Sequence, residues 1–224
     1  MISLFVSTCD DYSYLWENFA LLCEKHWLVD CEKTFICENK ECDIPGFKSH
    51  LPGKIPWTDR IISAIEGAKT EYVFFMLEDY FLTEPITQAD IELYIEFMEE
   101  NDANKIMIEP LSYLMKYDMK NYTKFKDRFV YKIMDNSDYL SSVQPSVWKK
   151  DYFLSLLKPG WSPWEFECAG TDLVRGQENK IYNICGPNGI RTERIYWNAV
   201  RKGGIISDGW NEIKNRFNLQ EMEK

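Results

Sequence analysis

The chain has 224 residues, 45% hydrophobic and 28% charged, a balance that excludes a disordered segment and suffices for one sizeable core. Its 26 basic and 36 acidic side chains leave a formal charge of −10, which excludes a general attraction to nucleic acid or to an anionic membrane surface. Any anionic ligand must be held by a local device: a metal ion, a helix N-terminus or a few placed basic side chains.

In chain order, Ile2–Ser7 (ISLFVS) is an apolar run of strand length that stops at polar Thr8-Cys9-Asp10-Asp11. Leu15, Trp16, Phe19, Leu22, Cys23 and Trp27 then fall near helical spacing, with Asp11 or Ser13 as N-cap. Lys33–Cys37 reads as a second strand, followed by a loop holding Pro45, Gly46, Pro52, Gly53 and Pro56. Trp57, Ile61, Ala64, Ile65 and Ala68 mark a second amphipathic helix. Tyr72–Leu77 (YVFFML) is the strongest strand signal, suited to a parallel strand buried on both faces. Strand, helix, strand, helix, strand predicts an α/β doubly wound sheet.

A third helix fits Thr87–Glu100, capped by Thr87 and buried through Ile91, Tyr94, Ile95 and Met98, and Lys105–Ile108 returns as a short strand. Phe129–Met134 and Tyr139–Val147 flank Asp135–Asp138 as a hairpin. One helix fits Lys149–Leu157, and another starts at Ser162-Pro163, with serine as cap and proline at the first helical position. Ile181–Ile184 is a last strand, beyond which glycines and aromatics lead to a polar tail.

Seven irregularly spaced cysteines form no CxxC pair, and only His26 and His50 accompany them, so free thiols of a reducing compartment are expected. The N-terminus carries no secretory pattern, and no stretch approaches the roughly 20 apolar residues that span a bilayer. A cytoplasmic location is the expectation.

Ligands of open α/β sheets bind beyond the carboxyl ends of the strands. Thr8–Tyr12 and Glu78-Asp79-Tyr80 occupy that position. Two adjacent carboxylates leaving a buried strand repel one another unless a cation or ligand lies between them. The plainer alternative is that they cap the next turn and face water. Neither GxGxxG nor GxxxxGK[ST] occurs, so dinucleotide and P-loop readings lack their phosphate cradle.

Three stretches within Ile2–Arg175 carry a family resemblance. The first strand ends in a polar loop (SLFVSTCDDY), a tryptophan–arginine helix leads into an acid-ended strand (WTDRIISAIEGAKTEYVFFMLEDYFL), and QPSVWKKDYF precedes SPWEFE. Together they resemble bacterial glycosyltransferases of the GT-A fold. That family has its DxD-type motif at the acid-ended strand and its acceptor-binding and catalytic acids in the later segment. The departure is Glu78-Asp79-Tyr80, where tyrosine stands in place of a second carboxylate.

The resemblance implies an α/β, GT-A-like architecture: a Rossmann-like, mostly parallel sheet flanked by helices with an elaborated second half. Residues 1–224 would form one domain, a nucleotide-sugar-binding half at 1–110 and an acceptor-binding half at 111–224. The implied reaction moves a sugar from a nucleoside-diphosphate sugar, uridine being the family expectation, to a saccharide or lipid-linked saccharide acceptor. It would proceed with inversion, in polysaccharide biosynthesis at the inner face of a membrane. Thr8, Asp10, Asp11, Tyr12, Trp57, Arg60, Glu78 and Asp79 are the donor-binding candidates. A divalent cation, Mn2+ or Mg2+, would take hard carboxylate oxygens from Asp79 and Glu78. Without one, Arg60, Arg191, Arg194, Arg201 and Lys202 are the candidates to neutralise the diphosphate.

An attacking hydroxyl needs a carboxylate to take its proton, and Glu165 and Glu167 are the candidate catalytic pair. Ser162 and Glu165 also match a capping box, and Trp57 at helical spacing also suits the core. Tyr12 and Trp57 could stack on a base, and Trp161 and Trp164 on sugar rings. Lys116, Lys120, Lys124, Lys126, Arg128 and Lys132 read as a solvated face or as contact with an anionic, lipid-linked acceptor at a membrane. A sugar-nucleotide nucleotidyltransferase is the alternative enzyme, although it would want a glycine-rich basic loop where Thr8–Asp11 stands. A non-catalytic sugar- or nucleotide-binding module is the alternative from another class.

Overall fold

The computed structural model of the chain describes residues 1–108, 122–187, 195–201, 204–205 and 209–222. Nine strands form its main sheet: β1 (Ile2–Ser7), β2 (Lys33–Ile36), β3 (Lys48–His50), β4 (Tyr72–Leu77), β5 (Lys105–Met107), β6 (Tyr122–Phe125), β7 (Arg128–Lys132), β8 (Ser146–Lys149) and β9 (Ile181–Pro187). Their order is β3-β2-β1-β4-β8-β5-β9-β7-β6. The block β3-β2-β1-β4 is parallel, β8 lies antiparallel between β4 and β5, and β9 returns parallel to β5. This is a mixed α/β architecture with a large central sheet flanked by helices.

The alternation of side chains assigns each face its core. Ile2, Leu4, Val6, Phe74, Met76 and Ile106 point to one face, where they meet α1 (Trp16–His26), α3 (Gln88–Glu100) and α6 (Trp210–Phe217). Phe5, Val73, Phe75, Met107 and Trp148 point to the other, against α2 (Trp57–Ile65), α4 (Lys150–Leu156) and α5 (Pro163–Val174). Because both faces are covered, β4 reads as a continuous apolar run rather than an alternating one. Burying each of Phe74 and Phe75, both fully enclosed, contributes about 1.5–3 kcal/mol.

Several expectations change. No hairpin joins Phe129–Met134 to Tyr139–Val147: β7 pairs with β6 and β9, while Ser146–Lys149 takes the slot between β4 and β5. Val147 and Trp148, fully buried on opposite faces, require that central position. Neither Asp11 nor Ser13 caps α1, which grows instead out of a 3-10 turn over Asp10–Leu15 with no side-chain cap. Thr87 does cap α3, in a reciprocal box with Asp90. The polar tail contains α6. Lys116, Lys120, Arg191, Arg194 and Lys202 lie outside the described residues.

Candidate functional site

The carboxyl ends of β1 and β4 lie side by side, since Ser7 pairs with Leu77 and the Glu78 N–H donates to the Ser7 carbonyl at 3.2 Å. Parallel pairing thus brings Thr8 and Glu78-Asp79 together from segments about 70 residues apart. Glu78 is buried beside the Thr8 hydroxyl, and burial, reinforced by the Asp79 charge, pushes its carboxyl up to about 8. Asp79 is pushed up to about 7 by burial and then by Glu167. Its Oδ1 is closed off from water with no hydrogen-bond partner among the described residues.

The Asp79 carbonyl accepts the Ala199 N–H at 2.7 Å. The next residues, Tyr80–Leu82, pair with Tyr196–Asn198 as a ribbon over the sheet end. The Tyr196 hydroxyl bonds to Gln144 Oε1, closing this side of the site onto the segment that enters β8.

Glu167 arrives on α5. Its Oε1 accepts the Val143 N–H at 2.9 Å, which holds the carboxylate at the amino end of β8, beside the β4 terminus. Glu165 is not brought there. Its Oε2 accepts the Ser162 N–H and hydroxyl, both at 2.7 Å, and the Ser162 hydroxyl accepts the Glu165 N–H at 3.2 Å. These bonds hold its exposed carboxyl below the usual carboxylate range. The geometry therefore separates the two glutamates: Glu165 completes a helix cap, and Glu167 is held by Val143 near enough to raise the Asp79 carboxyl. Trp161 packs on the α2 side of the core, while Trp164 is 64% exposed, one turn ahead of Glu167 on the same helix.

The remaining candidates divide in the same way. Trp57 is buried against Phe75 and Phe166, and its Nε1 donates to Ser7 Oγ at 2.9 Å. It sits in the core, its ring faces taken up by these neighbours. Arg60 is also buried, donating to the Thr8 carbonyl at 2.6 Å and lying 3.8 Å from Glu38. Its guanidinium braces the loops after β1 and β2, through the Thr8 and Cys37 carbonyls. Asp10 accepts the Asn39 and Lys40 N–H groups at 3.2 and 3.0 Å, joining the same two loops. Asp11 is exposed and Tyr12 half-buried. Burial raises the Tyr12 phenol, and burial followed by Glu78 pushes the Cys9 thiol up to about 11, so both stay neutral.

A cavity of about 570 Å³ is lined by Cys9, Asp10, Asp11, Tyr12, Ser13, Tyr14 and Lys40. A larger groove of about 780 Å³ lies between α1 and the Asp43–Phe47 loop, away from Asp79 and Glu167. The smaller cavity is lined by the loop that leaves β1, whose Cys9 and Tyr12 feel the Glu78 charge; Asp79 and Glu167 do not line it. Lys40 and Glu38 escaped the sequence reading because nothing in CENKEC marks it as a ligand loop; only the β1–β2 pairing places it there. Lys40 Nζ donates to Ser13 Oγ at 2.8 Å on the cavity rim. Among the described residues of the basic segment, Lys126, Arg128 and Lys132 are paired with Glu96, Asp90 and Asp135. No cluster of three or more His, Cys, Asp or Glu side chains forms a cation cage among the described residues, and no described helix is long and apolar enough to cross a membrane.

No protein-family model and no curated protein sequence matches the chain. Solved structures do. S. aureus TarS 1–349 in complex with UDP-GlcNAc superposes with a TM-score of 0.57 at 14% identity, covering 91% of this chain and 60% of that one. The same protein in complex with UDP gives 0.50 at 13% identity, covering 84% and 58%. A longer S. aureus TarS gives 0.51 at 14% identity, covering 89% and 36%. This chain thus spans about 60% or less of the length of these neighbours, and what it shares with them is the GT-A-like fold.

Proposed function

We propose that the chain is a nucleotide-sugar-dependent glycosyltransferase acting on a saccharide or lipid-linked saccharide acceptor with inversion at the anomeric carbon. The observation that carries this reading is that the Val143 N–H holds Glu167 at the amino end of β8, alongside β4, whose carboxyl end bears Asp79. One acid comes from each half of the chain, and the loop after β1, paired to the same strand end, lines a cavity of about 570 Å³. Solved structures of the same fold hold UDP-GlcNAc and UDP, which favours a uridine diphosphate donor.

The division of labour follows from the geometry. The cavity bordered by Tyr12, Asp11 and Lys40 takes the nucleoside, leaving the diphosphate near Asp79. This end of the sheet is rich in carboxylates, and Arg60 is engaged with backbone. Among the described residues Lys40 is the one basic side chain lining the cavity, so a diphosphate there would gain from added positive charge. A divalent cation, if bound, would be held by the hard Asp79 carboxylate, whose Oδ1 has no hydrogen-bond partner among the described residues, and would stabilise charge on the leaving diphosphate. Glu78 lies deeper and holds the loop through Thr8. Glu167 takes the proton from the acceptor hydroxyl as its oxygen bonds to the anomeric carbon. The bond to the diphosphate breaks with its electron pair leaving on phosphate. Trp164 offers the acceptor a flat apolar face.

The test is transfer from a panel of UDP-sugars, with UDP release measured for the wild type, Glu165→Gln and Glu167→Gln. Glu167→Gln is expected to lose about 10²–10⁴ in rate. Glu165→Gln should stay near the wild type, because glutamine also serves in a capping box. Equal rates for all three proteins would remove Glu167 from the mechanism. Pyrophosphate release from UTP and a sugar phosphate, without transfer, would show a nucleotidyltransferase instead.

A further inference from the structure

We infer that Lys105 is a positioning residue for Glu167, acting through the single peptide that joins Ser142 to Val143; this rests on the transfer reading above. Lys105 opens β5 in the middle of the sheet, opposite Trp148 of β8, and is fully buried. Its Nζ lies 4.2 Å from the Trp148 ring centroid and donates to the Leu140 carbonyl at 3.3 Å and to the Ser142 carbonyl at 2.8 Å. An apolar side chain would fill this place without the desolvation cost of an ammonium. It would not hold two carbonyls of one turn at once, which the three donors of lysine do.

The turn so held leads directly to the acid. Tyr139 adopts a left-handed φ of +58°, and the Ser142 N–H closes back onto the Tyr139 carbonyl at 3.0 Å. The buried Ser141 Oγ donates to the Phe166 carbonyl at 2.8 Å, tying the turn to α5 just before Glu167. The Ser142 carbonyl and the Val143 N–H are the two ends of one planar amide. Lys105 grips the first, and the second donates to Glu167 Oε1 at 2.9 Å. A cationic donor on the carbonyl also polarises the amide and strengthens its N–H as a donor. Lys105 thereby sets where the Glu167 carboxylate sits and how firmly it is held.

The experiment compares kcat and donor KM in the wild type, Lys105→Met, Glu167→Gln and the double variant, with circular dichroism as the check on folding. Lys105→Met is expected to lower kcat on the order of 10- to 100-fold with donor KM little changed. In the Glu167→Gln background the same change should have almost no further effect, because the group it positions is gone. Equal losses in both backgrounds would assign Lys105 to general stability and overturn the inference, as would an unchanged kcat. Should Lys105→Met fail to fold, Lys105→Gln, which keeps an N–H donor but no charge, carries the same comparison. The wild-type and Glu167→Gln arms alone show whether the transfer reading itself fails, since transfer must occur and must fall when the base is removed.

Discussion

At the scale of single residues, Glu78 and Asp79 couple the site to stability. Their carboxyls lie at about 8 and about 7 in the fold, against 4.5 and 3.8 as ordinary values. Between those limits the native state holds protons that the unfolded chain has released. The acids' contribution is therefore fully present below about pH 4 and is lost as pH rises through 7 to 8. His26, buried with no hydrogen-bond partner for either ring nitrogen among the described residues, works in the opposite sense, because burial lowers it and charging it opposes the fold as pH falls. Comparing Glu78→Gln with the wild type isolates the acid. The variant should show a flatter dependence of Tm on pH and a higher Tm at pH 8, measured by scanning calorimetry. A wild-type-like slope would mean that Glu78 is ionised throughout. Asp79→Asn should, by the same linkage, raise Tm at pH 8 yet lose about 10²–10³ in transfer rate, the usual cost of a lost electrostatic stabiliser.

At the scale of elements, α5 carries the decisive placement. Its first turn is fixed by the Ser162–Glu165 box, and Ser162→Ala should cost about 1 kcal/mol, read from urea unfolding. Its second turn presents Glu167, and its third passes close to the Tyr139–Val143 turn at Gly170. A Cβ there would meet Ser141 Oγ at 2.9 Å and Ser141 Cβ at 3.3 Å. On an exposed helix, glycine to alanine would gain roughly 1 kcal/mol. Here the crowded contact reverses the sign, so Gly170→Ala should destabilise by about 1–3 kcal/mol and slow transfer as α5 shifts from the turn. Unfolding midpoints and kcat measured on the same preparation decide it; a stabilised, fully active variant would show that the junction has slack.

At the scale of the whole molecule, a ligand that binds only the native state should stabilise every element the sheet connects. With UDP and Mn2+ at a hundredfold excess over Kd, the gain is about 2.7 kcal/mol. For a chain of this size that is a rise of about 5–10 °C in Tm. Differential scanning fluorimetry reads it, with UDP alone and Mn2+ alone as the separate arms. No shift in any arm would remove the donor from the proposed cavity.

The sequence by itself determined what depends on short-range pattern. Tyr72–Leu77 was legible as a doubly covered strand because six consecutive residues carry the signal, and Thr87 as a cap because the Asp90 that answers it lies three residues away. The paired acids after the strand were legible for the same local reason. Only tertiary structure decided which polar residues meet. The Ser162–Glu165 box was legible from its spacing, but nothing local told that Glu167 would bond to Val143, 24 residues earlier. Arg60 and Trp57 look equally available until packing turns them inward, and Lys40 and Lys105 carry no local mark at all. The physical reason is that periodicity records burial by face. The direction and partner of a buried polar group depend on strand order and on turns such as Tyr139–Val143, whose closure brings together residues that no local pattern relates.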